Sequence, residues 1–161
     1  MALHEIKTIS EFYDIIGERE RIFSLDIGSK TIGIAISDPH RRVSTPLYTI
    51  KRKKFTQDAE NLIALINENN VKGLVIGLPL LMDGQEGKKC QSVRQFGRNL
   101  QKIHDIAIIY WDERFSTIKA QEILDHTQTP MSKQKDAIDK IAASHILQSM
   151  LDTAIRMSEK K

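Results

Sequence analysis

The sequence predicts an α/β domain built on one mixed five-stranded sheet, three antiparallel strands then two parallel ones, flanked by helices. Three observations lead there. Ile32, Ile34 and Ile36 alternate with Thr31, Gly33 and Ala35 just after a short apolar run, a period of two that marks a hairpin. Further along, the fully apolar runs Gly73–Leu78 and Ile106–Trp111 alternate with amphipathic helical stretches, as buried parallel strands do. Finally, 161 residues, 40% apolar and 28% charged, amount to one domain of ordinary soluble composition.

Taken in order, Thr8-Ile9-Ser10-Glu11 reads as a capping box. Ile9, Phe12, Ile15 and Ile16 follow at helical spacing, and Gly17 is the stop. This helix is expected beside the first strand, with residues 1–21 a helical extension and 22–157 the single domain. Ile22–Ile27 is the first strand, Gly28-Ser29-Lys30 the turn, and Thr31–Ile36 the second strand. Val43–Ile50 is a weaker third strand, with Pro46 favouring an edge. Leu62, Ile63, Leu65 and Ile66 mark a helix ending near Asn69-Asn70, and Val93, Phe96, Leu100 and Ile103 form the stripe of another. Two more helices are expected, around 117–125 and 133–157, with His126–Ser132 the one loose segment.

Several classes drop out. No apolar run approaches the roughly 18 residues of a membrane span, and the acid-bearing N-terminus is unlike a signal peptide. Cys90 is the only cysteine, which excludes a disulfide scaffold and a cysteine zinc cluster and favours a reducing, cytoplasmic setting. Net charge is only +3, but six Lys/Arg fall in 39–57 and five in 87–104, with no acid in either stretch. Two such stretches fit a polyanion surface, or equally two solvated faces.

The acids carry the chemistry. Asp26 interrupts an apolar strand, where a carboxylate is costly unless a cation or hydrogen bonds compensate it. Asp112 and Glu113 close a buried parallel strand, where open α/β sheets place ligands. Side chains alternate along a strand, so only one of these two joins Asp26. Asp136 and Asp139 share a face of the last helix, which is also an ordinary placement for first-turn acids. Carboxylates converging from separate elements suit two-metal phosphodiester hydrolysis, and Mg²⁺ or Mn²⁺ suits oxygen ligands. Lys88-Lys89 open a helix after the glycine-bearing loop 77–87, and Arg94, Arg98 and Lys102 fall at i, i+4 and i+8 along it.

These residues also resemble a known family. Asp26-Ile27-Gly28-Ser29-Lys30-Thr31-Ile32-Gly33-Ile34-Ala35-Ile36-Ser37-Asp38 is similar to the opening motif of the YqgF family, also called RuvX. Gly77-Leu78-Pro79 with Asp83-Gly84 and Gly87, Asp112-Glu113-Arg114 with Thr117, and Ile138-Asp139 through Gln148 resemble its three later motifs, in order. The resemblance implies an RNase H-like fold and a cytoplasmic metal-dependent nuclease, a hydrolase of ester bonds that matures the 5′ end of pre-16S ribosomal RNA. It makes Asp26, Glu113 and Asp139 the metal-binding catalytic acids. Lys30, Lys88, Lys89, Arg94, Arg98, Lys102 and Arg114 are then the expected nucleic-acid contacts. A Holliday-junction resolvase cutting branched DNA as a dimer, and an inactive nucleic-acid-binding module, are the alternatives; the chain itself is expected as monomer or homodimer.

Overall fold

The computed structural model describes residues 5–113 and 131–159, with only the backbone described over 131–136. The elements run α1 (Ile9–Ile16), β1 (Arg21–Ile27), β2 (Thr31–Ser37), β3 (Ser44–Lys51), α2 (Phe55–Glu68), β4 (Val71–Leu78), α3 (Lys88–Ile103), β5 (Ala107–Asp112) and α4 (Met131–Glu159). The strand order is β3-β2-β1-β4-β5. β1–β2 and β2–β3 pair antiparallel, β1–β4 and β4–β5 parallel. The expected sheet is present, with β3 on its edge. The helix expected at 117–125 and the residue Arg114 lie outside the described residues.

The two faces of the sheet hold separate cores. Phe23, Leu25, Ile32, Ile34, Leu74 and Ile76 pack beneath α2 and α3. Ile22, Ala35, Val75 and Ile109 pack beneath α1 and α4 with Ala143, Ile146 and Leu147. Alternation along β1 therefore sends Ser24 and Asp26 toward α4, and Ser24 Oγ donates to the Ala143 carbonyl at 2.6 Å. Gly33 lies opposite Asp26 in the β1–β2 register. A Cβ there would collide with the backbone of Asp139 and Lys140, so this glycine lets α4 lie directly on the sheet.

Two local expectations change. α1 packs on β4 and β5 rather than beside β1: Phe12 is fully buried against Gly73, and Ile6 bridges Ile109. Its caps are as expected, with Thr8 Oγ1 accepting from Glu11 N–H and Gly17 at φ +89°. In α3 the apolar stripe is Cys90, Val93, Phe96, Gly97 and Leu100, whereas Ile103 is exposed.

Candidate active site

Asp26 sits one residue from the end of β1, and Leu78 ends the neighbouring β4. Leu78 pairs with Asp112, and the Glu113 amide then donates to the Leu78 carbonyl at 3.2 Å, carrying the β5 register one residue further. Along β5, Ile109 and Trp111 face α4, so Glu113 follows them and Asp112 points the other way, exposed. The choice between the two acids is made by alternation. Glu113 is also seated over Gly77, where a Cβ would stand 2.6 Å from Glu113 Oε2 and 2.7 Å from Ile146 Cδ1.

The carboxyls of Asp26 and Glu113 share a hydrogen bond. Burial raises both pKa values; the Asp26 charge adds to the effect on Glu113, which is pushed up to about 9. Glu113 therefore keeps a proton at neutral pH and donates it to Asp26. Asp139 adds a like charge that raises Asp26 further, while Lys89 opposes the shift on Glu113. The Thr31 hydroxyl holds Asp139 by donating to its Oδ2 at 2.5 Å.

The three expected acids thus meet as a proton-sharing pair, Asp26 and Glu113, with Asp139 beside them. Among the described residues no group of three His, Cys, Asp or Glu side chains is gathered tightly enough to hold one ion between them. The donor chemistry nonetheless fits a hard divalent cation: two half-buried carboxylates that retain a proton have room for a positive charge in its place, and Mg²⁺ needs only one or two protein carboxylates. The Asp136 side chain lies outside the described ones.

The expected cationic residues divide. Lys30, Lys88, Lys89, Arg98 and Lys102 are exposed. Arg94 is not available in the same way. Its Nε and Nη2 grip Glu86 at 2.8 and 3.0 Å, its Nη1 reaches Glu5 at 3.0 Å, and its guanidinium lies 4.8 Å from the Tyr110 ring centre. Both acids lie outside the acid-free stretch in sequence and are brought to it by the fold. Sequence reasoning placed Thr31, Gly33 and Gly77 in motifs but gave them no role; a glycine inside a strand was the available signal for the last two.

Comparison with known proteins gives the chain its relatives. A protein named "Putative pre-16S rRNA nuclease" from Ruegeria pomeroyi is 45% identical over 146 residues, covering 91% of this chain and 95% of its own. One of the same name from Paramagnetospirillum magneticum is 47% identical over 143 residues, covering 89% and 92%. Among solved structures, Thermus thermophilus RuvC with a Holliday junction superposes with a TM-score of 0.52 at 8% identity, covering 84% of this chain and 96% of that one. Fowlpox virus resolvase gives 0.51 at 14% identity, covering 84% and 99%. These two show the RNase H-like resolvase fold alone. No helix among the described residues is long and apolar enough to cross a membrane. The family model for RuvX, described as Holliday junction resolvase, matches residues 20–153, and the chain belongs to that nuclease family.

Proposed function

We propose that this chain is a divalent-metal-dependent nuclease that hydrolyses RNA phosphodiester bonds in maturing the 5′ end of pre-16S ribosomal RNA in the cytoplasm. The observation that carries the reading is the Asp26–Glu113 pair at the carboxyl ends of β1 and β5, on either side of β4, with Asp139 held alongside by Thr31. The name shared by relatives more than 40% identical over most of their length supports the substrate.

Asp26 and Glu113 would hold Mg²⁺ or Mn²⁺, with Asp139 the third carboxylate. A cation held there would supply Lewis acidity for activating water and offsetting charge on the leaving oxygen. The chain's own residues prepare the site. Gly77 leaves space for the Glu113 carboxyl, and Gly33 lets α4 bring Asp139 down to the sheet. Thr31 fixes one Asp139 oxygen. Lys89, close enough to Glu113 to lower its pKa, adds positive potential where a phosphate approaches. Lys30, Lys88, Arg98 and Lys102 hold the sugar–phosphate backbone without reading bases.

Cleavage of a pre-16S 5′-leader RNA beside a four-way DNA junction, each with Mg²⁺ and with Mn²⁺, tests the proposal. RNA cut at the mature end is expected. Cleavage of the junction alone would move the assignment to the resolvase reading, which the family description favours.

A further inference from the structure

The turn between β1 and β2 supports two of the acids at once. Asp26 lies two residues before Gly28, and Thr31, which holds Asp139, lies three after it. Yet Gly28, Ser29 and Lys30 are all exposed, and within the turn the Gly28 amide bonds the Thr31 carbonyl at 2.8 Å. A single outside residue grips both sides of it. The Arg52 amide donates to the Lys30 carbonyl at 2.8 Å, and Arg52 Nη1 donates to the Gly28 carbonyl at 2.6 Å.

Arg52 is itself aimed by a buried acid. Asp58, in the first turn of α2, is 1% exposed, a costly place for a carboxylate. Its Oδ1 accepts the Lys53 amide at 2.9 Å, while Oδ2 has no hydrogen bond among the described residues and lies 3.9 Å from Arg52 Nε. The guanidinium also lies 5.7 Å from the centre of the Phe96 ring of α3. Nε faces Asp58 while Nη1 faces Gly28, a division of labour that suits the planar fork of arginine and not the single ammonium of lysine.

We infer that Arg52, oriented by Asp58, is a positioning residue: it clamps the Gly28–Lys30 turn and so fixes Asp26 relative to Asp139. The inference rests on the acid site proposed above. Small displacements of reacting groups cost up to about a hundredfold in rate, so the clamp acts on turnover, and on RNA affinity only slightly, through the one cation of the turn, Lys30.

The test compares native chain, Arg52→Gln, Arg52→Lys and Asp58→Asn. The readouts are single-turnover cleavage of the leader RNA at saturating enzyme, its Mn²⁺ midpoint, RNA affinity in Ca²⁺, and amide exchange at residues 28–31 without metal or RNA. In Arg52→Gln, the turn amides should exchange at least about tenfold faster. Cleavage should fall by about tenfold to a hundredfold, the Mn²⁺ midpoint should rise, and RNA affinity should change less than about twofold. Arg52→Lys should restore little, and Asp58→Asn should show the same pattern more weakly, which keeps the test standing if Arg52→Gln fails to fold. Loss of RNA affinity with unchanged turnover would make Arg52 a phosphate contact and overturn the clamp. Unchanged turnover and Mn²⁺ midpoint, or unchanged exchange in the turn, would overturn it as well. Failure of the acid-site reading is separate: it shows as no cleavage by the native chain, before any variant is compared.

Discussion

At the scale of single residues, the site is a contest between burial and charge. Glu113 keeps its proton up to about pH 9, far above its ordinary value of 4.5, because ionising it beside Asp26 in a buried setting is unfavourable. The sign of the resulting pH dependence follows. A folded-state pKa raised above the unfolded one gives stability that is complete below the unfolded pKa and lost as pH climbs to the folded one. In EDTA, this contribution to the melting temperature should therefore decline between about pH 5 and pH 9. Glu113→Gln, which keeps a hydrogen-bond donor and never ionises, should flatten that decline, and calorimetry across the range checks it. Asp112→Asn should lower cleavage far less than Glu113→Gln, because Asp112 is exposed on the opposite face and reaches Glu113 only through its charge. The sequence showed that Asp26 is anomalous and that only one of Asp112 and Glu113 belongs with it. Which one required the register at Leu78, because a strand's face is undefined until its partner is known.

At the scale of elements, close approach depends on absent side chains. Gly77→Ala puts a methyl group against Glu113 Oε2 and Ile146 Cδ1, both ends of side chains, and tightly against Glu113 Cβ. Cleavage should drop by about tenfold or more, with a smaller loss of melting temperature than at Gly33. Gly33→Ala meets the α4 backbone instead, which has nowhere local to move, and should cost both stability and activity. Helix α3 shows where charge reading stops. A stripe of cations is visible in sequence, but the carboxylates that neutralise Arg94 come from Glu5 and Glu86, one of them 89 residues away. Replacing Lys88, Lys89, Arg98 and Lys102 together with Gln should flatten the salt dependence of RNA binding, by up to about 0.7 for each phosphate these side chains neutralise. Arg94→Gln alone should hardly change that slope. Titrating RNA at several salt concentrations separates the two.

At the scale of the whole molecule, the sense of strand pairing and the edge place of β3 were legible because connection rules leave few options once a hairpin precedes alternating helices and strands. The N-terminal segment was less so. Its helix could be read from Thr8 and Gly17, but its docking place could not, since an amphipathic stripe says that a face is buried and not against what. It closes the second core: Phe12 is fully buried with its ring on Gly73. Phe12→Ala should cost about 3–5 kcal/mol of stability in denaturant unfolding, since α1 shares that core. The same core packs α4 against β1 and β2, which ties the acid site to the stability of the whole fold.

The central claim is that these acids cut RNA with a bound metal and do not merely border a binding surface. Asp26→Asn tests it most directly, since it preserves size and removes the charge. Single-turnover cleavage of the pre-16S leader in Mn²⁺ should be abolished, while RNA binding in Ca²⁺ stays equal or tightens slightly because a repelling anion is gone. Cleavage by Asp26→Asn at the native rate would contradict the account.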